Sequence, residues 1–179
     1  MLNVNLVMRK RAVGHATLTG PAHSTTLGVT GNVVDVLVGV MEHFGGCHCS
    51  NIRVRLRLTK APADIPLRAC ACSFCRAHQT RTVADPGGLF EVEADDWSLV
   101  EPYRFGSRTA DYLVCRRCGI YVGALCETPA GTRAVVNVNC LTDRAQFTQA
   151  PSAPDYDGET TQTRLARRAV NWMPAMVHR

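Results

Sequence analysis

The sharpest alternation of apolar and polar positions runs from Asn51 to Thr59, with Ile52, Val54, Leu56 and Leu58 on one side and Arg53, Arg55 and Arg57 on the other. A strict period of two belongs to a strand with one face on a core and the other in water. The arginine row reads first as the solvated face of an antiparallel sheet, and second as an anion-binding stripe. Pro62 and Pro66 end this strand. Ala84-Asp85-Pro86-Gly87-Gly88 then forms a turn, and short strands are predicted at Leu89 to Glu93, Val100 to Phe105, Tyr112 to Val114, Ile120 to Ala124 and Ala134 to Val138. Gly106-Ser107, Gly119 and Pro129-Ala130-Gly131 divide them, with Gly119 tolerating a positive φ. Many short strands separated by turn residues predict a mainly β domain. One short C-terminal helix is expected over about 160–173. Its Leu165, Ala169 and Trp172 recur at i, i+4 and i+7, Arg164, Arg167 and Asn171 lie opposite, and Pro174 stops it.

Residues 1–40 break this rhythm. They are rich in Gly, Thr, Val and Asn, hold no cysteine and keep no sustained period. We expect a poorly packed N-terminal extension there; the competing expectation is an arm that adds a strand. Organised patterning begins at Met41, and 41–179 is expected to be one domain. A chain of 179 residues builds one sizeable core and is short for two. Arg9 to Arg11 resemble the charged start of a leader, but Ala12 to Gly31 hold no continuous apolar run. Val33 to Val40 is the most apolar stretch, contains Asp35 and is too short to span a membrane. A cytoplasmic protein without membrane contact is the expectation. The net charge of +5 gathers partly at Arg9, Lys10 and Arg11 and at Arg164, Arg167 and Arg168, which suits a mildly basic soluble protein before it suits an anionic partner.

Cysteine placement changes the picture most. Seven of the nine cysteines lie in three tight knuckles: Cys47-His48-Cys49, Cys70-Ala71-Cys72-Ser73-Phe74-Cys75 and Cys115-Arg116-Arg117-Cys118. Such spacings let neighbouring thiolates converge on one ion, and zinc takes four at about 2.3 Å. In a reducing compartment these pairs read as metal knuckles rather than disulfides. Cys126 and Cys140, in or beside predicted strands, read as small buried apolar side chains.

Taken together, Gly45-Gly46-Cys47-His48-Cys49, the Cys70/Cys72/Cys75 cluster, Cys115-Arg116-Arg117-Cys118-Gly119 and Val136-Asn137-Val138-Asn139 resemble the glutathione-dependent formaldehyde-activating enzyme family, whose domain is shared with centromere protein V. The likeness covers roughly residues 44–147. The tail from Asp155-Tyr156-Asp157-Gly158-Glu159 through Arg164, Arg167, Arg168 and Trp172 is similar to the ending of one bacterial branch. The resemblance implies a β-tent of short antiparallel strands stapled by two zinc ions per chain. In that pattern Cys47, Cys49, Cys115 and Cys118 close a structural four-thiolate site, while Cys70, Cys72 and Cys75 hold a second zinc with its fourth position open and carry the chemistry. Ser50 departs from the glycine usual there, and fits if the backbone is not strongly left-handed.

The implied activity is that of a carbon–sulfur lyase-type enzyme, like S-(hydroxymethyl)glutathione synthase, joining a thiol to formaldehyde or another small aldehyde, with glutathione as co-substrate. Three thiolates make zinc a weak Lewis acid, so binding an incoming thiol suits the site better than polarising water. A fourth ligand closing the site stays open as an alternative, from Cys126, Cys140, His48 or His78. So does a zinc-stapled binding module that holds an acidic partner or nucleic acid on its arginine rows. Aromatics at 6% and no interleaved basic run speak against a nucleic-acid platform. A redox role lacks the thioredoxin-like βαβ context.

Overall fold

A computed structural model describes residues 40–179, so the expectation for residues 1–40 lies outside the described residues save for Val40. Nine strands build one sheet: β1 (Met41–Gly46), β2 (Ile52–Leu58), β3 (Thr82–Val83), β4 (Leu89–Ala94), β5 (Val100–Tyr103), β6 (Asp111–Cys115), β7 (Tyr121–Thr128), β8 (Gly131–Asn137) and β9 (Met173–His178). Two helices accompany them, α1 (Ser73–Ala77) and α2 (Thr161–Asn171). The spatial order is β1-β2-β4-β9-β8-β7-β6-β5, with β3 paired to β8 beside β9. Every pairing is antiparallel except β4 with β9. The fold is mainly β, as the alternation predicts.

The strand read most clearly from the sequence is realised as β2. Ile52, Val54, Leu56 and Leu58 all lie in the core beside Phe90 and Val92 of β4. The arginines on its other face are not simply solvated. Antiparallel register sets Arg53 opposite Glu93 and Arg55 opposite Glu91. Arg53 Nε donates to Glu93 at 2.8 Å, and Arg55 Nε and Arg57 Nη2 both donate to one oxygen of Glu91 at 2.8 Å. His178 of β9 stands 3.3 Å from the other oxygen. The row that read as a solvated face or an anion stripe is thus zipped to an acidic row on the next strand.

The helix expected over about 160–173 forms as α2, started by the Thr160 hydroxyl accepting from the Thr163 amide at 3.2 Å. Its arginine face is a correction. Arg164 and Arg167 were expected on the outer side, yet each side chain is only 24% exposed and both are ion-paired to Glu159. Arg168 is buried outright. The chain after the helix also departs from expectation: Pro174 stops α2 but then enters β9, a strand the sequence reading did not place. β9 shows why the strand was hard to read, because its residues alternate only partly between buried and exposed.

A buried polar staple ties β1 to the segment after β8. His43, almost fully enclosed, has Nδ1 2.5 Å from Asp143 Oδ2 and its ring against Phe147. Beside it, Gly45 approaches the Cys140 carbonyl so closely that a Cβ would sit 2.2 Å from that oxygen, so any side chain there would push the strands apart. Among the described residues no helix is long and apolar enough to cross a membrane.

The Glu91 hub has a pH signature. Hydrogen bonding from Arg55 first, then from Arg57, outweighs burial and brings the Glu91 carboxyl from 4.5 down to about 2. Its depressed value makes the stabilisation whole above pH 4.5 and lost progressively as pH falls towards 2. Glu91→Gln should lower stability at pH 7 by about 1–2 kcal/mol, since charge-assisted bonds are lost but the arginines are partly screened. The gap to wild type should narrow markedly by pH 3. Urea unfolding at both pH values checks this; an unchanged gap at pH 3 would contradict it.

Candidate metal centres

The first cluster is assembled by two β turns. Gly45 and Gly46 end β1, and the chain turns through Cys47, His48, Cys49 and Ser50 before β2. Cys47 N–H donates to Ile52 O at 2.9 Å, Ser50 N–H to Cys47 O at 3.0 Å, and Ile52 N–H to Cys47 Sγ at 3.2 Å. Between β6 and β7 the second turn repeats the device. Cys115 N–H donates to Ile120 O at 3.0 Å and Gly119 N–H to Cys115 O at 2.8 Å, with Gly119 at φ 74° as its glycine allows. Ser50 corrects the sequence expectation: at φ 62° it does lie in the left-handed region, where a side chain costs roughly 1–2 kcal/mol. The knuckle keeps that geometry despite the serine.

These turns bring four thiols from distant parts of the chain together. Cys47 Sγ is 3.6 Å from Cys49 Sγ, and Cys49 Sγ is 3.5 Å from Cys115 Sγ. All four sulfurs, including Cys118, lie within 4.8 Å of one another. A tetrahedron of sulfurs about 2.3 Å from zinc has edges of about 3.8 Å, so the donor set fits that ion in number, type and spacing. Burial lifts the Cys47 thiol to about 12, with the other three thiols adding to it. Burial also opposes ionisation of Cys118, but the Ile120 and Cys49 amides and the neighbouring thiols outweigh it and bring that group to about 6. Four sulfurs this close cannot all ionise alone; a divalent cation at their centre removes the repulsion.

The second cluster is local. Arg68 pairs with Thr82 through backbone bonds of 2.9 and 2.8 Å, and Ala69 N–H donates to Ser152 O at 2.7 Å, which pins the approach to Cys70. Cys72 then caps α1, its Sγ accepting from the Cys75 amide at 3.4 Å. The sulfurs of Cys70, Cys72 and Cys75 lie within 4.8 Å of one another, with Cys75 buried and the other two half-buried. Cys75's thiol bonding to Cys70, helped by the Cys72 amide and thiol and by Arg164, outweighs burial and brings Cys70 to about 5. Cys75 moves up in return, because of Cys70 beside it and then burial.

Among the described residues no fourth histidine, cysteine or carboxylate joins this trio. The sequence candidates for that role are engaged elsewhere or exposed. Cys140 Sγ donates to Asn137 O at 2.9 Å, Cys126 Sγ lies 3.6 Å from Arg168 Nη1, His78 packs its ring 4.4 Å from that of Phe74, and His48 faces solvent. A cavity of about 520 Å³ opens on all three cysteines, walled by Phe105, Tyr112 and Tyr121. Phe74 of α1 touches each of those rings at centroid distances of 5.1–5.3 Å. The sequence reading missed this aromatic wall. Its members come from α1, the β5–β6 loop, β6 and β7, so no local pattern joins them.

The donor geometry predicts two zinc ions per chain in fully reduced protein, counted by elemental analysis; one or none would refute the two-site arrangement. Cys47→Ser or Cys115→Ser should lower the melting temperature by at least about 10 °C, as loss of several kcal/mol does in a domain of this size. Cys72→Ser should leave the melting temperature within a few degrees and one zinc bound, because its cluster closes very little chain.

No family model matches the chain. Among solved structures it is similar to the crystal structure of a Rhodobacter sphaeroides protein, with 24% sequence identity, a TM-score of 0.40, and coverage of 74% of this chain and 99% of that one.

Proposed function

We propose that the protein is a zinc-dependent, carbon–sulfur lyase-type enzyme that adds a thiol, glutathione in the first instance, to formaldehyde or another small aldehyde. The observation that carries this reading is the three-cysteine cluster lying open to a cavity of about 520 Å³. Three protein donors and one free position is the arrangement of a zinc site that works on a ligand, whereas four donors make a closed structural site. The likeness of the cysteine knuckles to the formaldehyde-activating family supports the same reading.

When bound by Cys70, Cys72 and Cys75, zinc supplies a soft position at which an incoming thiol loses its proton and stays a nucleophile. The chain's own part is to hold the partners. Cys70, Cys72 and Cys75 fix the position of the nucleophile from a six-residue loop that α1 stiffens. Phe105, Tyr112 and Tyr121 exclude water around it, which favours the adduct over hydration of the aldehyde. The reaction is balanced without a redox partner: a sulfur–carbon bond forms, the carbonyl π bond breaks, and the thiol proton ends on the former carbonyl oxygen.

A binding module that holds an acidic partner on the β2 arginines finds less support. The hollow of about 460 Å³ on that face is lined by Arg53 and Arg55, but also by Glu91 and Glu93, to which those arginines are already paired.

The test mixes zinc-loaded protein, glutathione and formaldehyde and follows adduct formation by exchange NMR against buffer. Thiols add to formaldehyde unaided, so Cys72→Ser is the essential control. Wild type should exceed both buffer and Cys72→Ser by at least about tenfold, within the range that positioning alone provides. Equal rates for all three, repeated with other small aldehydes and thiols, would refute the enzyme reading.

A further inference from the structure

The cavity beside the three cysteines carries more guanidinium groups than it has carboxylates to hold. Arg68, Arg164, Arg167 and Arg168 all line it. Glu159 accounts for two of them, receiving Arg167 through both oxygens at 2.5 and 2.9 Å and lying 3.3 Å from Arg164. Glu159 itself is not on the lining; Asp155 and Asp157, the acids that are, lie exposed, where water screens them.

Arg68 and Arg168 are different. Arg168 is only 6% exposed, and its Nη1 is spent on neutral acceptors: Thr109 Oγ1 at 2.7 Å, Thr109 O at 3.1 Å and Cys126 Sγ at 3.6 Å. Its Nε, and Nη1 of Arg68, are buried with no hydrogen-bond partner among the described residues; Arg164 Nε shares that state, but a carboxylate oxygen of Glu159 stands 3.3 Å from it. The guanidinium carbon of Arg168 also lies over the Trp172 ring, 4.7 Å from its centre. Removing a permanent cation from water without a counter-charge is costly, and an orphaned donor adds to the cost. A planar, stacked guanidinium with spare donors is the side chain best suited to a carboxylate.

We propose that Arg68 and Arg168 form an anion subsite in this cavity that binds a carboxylate of the thiol, so that the site selects acidic thiols over neutral ones. This rests on the reading of the three-cysteine cluster as the place where a thiol binds, and adds to it which residues choose the thiol. Arg164 and Arg167 belong to Glu159 and position α2 rather than ligand. Arg68 reaches the cavity from the loop before Cys70 and Arg168 from α2, so the subsite exists only where those two segments are docked.

The test is calorimetric titration of the full, zinc-loaded chain with straight-chain mercaptocarboxylates, from mercaptopropionate to mercaptohexanoate, each beside its own primary amide. Acid and amide match in size and differ in charge. At the chain length that spans the two subsites the acid should bind at least about tenfold tighter, the effect of a charge-assisted hydrogen bond. That preference should fall to near unity in Arg168→Gln and in Arg68→Gln, and survive in part in Arg168→Lys. Equal binding of acid and amide at every length overturns the proposal, as does a preference that persists in the double glutamine variant. Should Arg168→Gln fail to fold, the wild-type ratio and Arg68→Gln decide. The outcomes also separate the two readings. Acid-selective binding with no aldehyde turnover keeps the subsite and removes the lyase. Turnover that is equal for acids and amides does the reverse.

Discussion

Cys47 and Cys49 follow the strand at one end of the sheet order, while Cys115 ends, and Cys118 follows, the strand next to the other end. Their sulfurs nevertheless meet at 3.5 Å. The two knuckles therefore join β1 to β6, strands far apart in the sheet order. Other contacts follow the same closure: Gly45 bridges to Leu141, Thr142 N–H donates to Phe44 O at 2.9 Å, and the Asn51 side chain reaches Asp96 from both its oxygen and its nitrogen at 3.1 Å. The His43–Asp143 pair belongs to this seam too. Four sulfurs so placed suit a cation at their centre, which would tie β1 to β6 across the sheet order.

The second cysteine cluster stands in contrast. Its three thiols come from one short loop and tie nothing distant together, so their placement does little for the fold. What surrounds them is assembled from far apart: the aromatic wall from α1, β6, β7 and the β5–β6 loop, and the guanidinium groups from α2 and the loop before Cys70. On the function proposed above, such a cluster in a cavity that takes many segments to build would hold the working ion, and the four-thiolate cluster the structural one.

How much of this was legible in the sequence follows from how local each signal is. The alternation of β2, the turn at Gly119 and the cysteine spacings are properties of a few neighbouring residues, and each is found where it was read. The helix was legible from Leu165, Ala169 and Trp172, but the fate of its polar face was not. Arg164 and Arg167 look like a solvated side on a helical wheel, and only the loop bearing Glu159 and the cavity beside it make them inward groups. Ser50 was misjudged because a serine rarely advertises a left-handed backbone. Strand β9 was missed because it pairs with β4 and β8, both remote in sequence, and carries a proline at the point where β8 joins it. The aromatic wall had no sequence signal at all.

β9 has a further consequence for the order in which the molecule takes shape. It lies between β4 and β8, and it pairs Phe90 with Ala175 on one side and Ala134 with Met173 on the other. Remove it from the strand order and two separate antiparallel groups remain, β1-β2-β4 and β8-β7-β6-β5, each made mainly of strands near one another in sequence. Local hairpins form quickly, whereas a strand that must find partners so far up the chain closes large loops and comes late. The helix that borders the cavity immediately precedes that strand and packs on β7 and β8. Completion of the cavity that α2 borders is therefore expected to await β9, and a ligand that bound there would add to the stability of the folded chain.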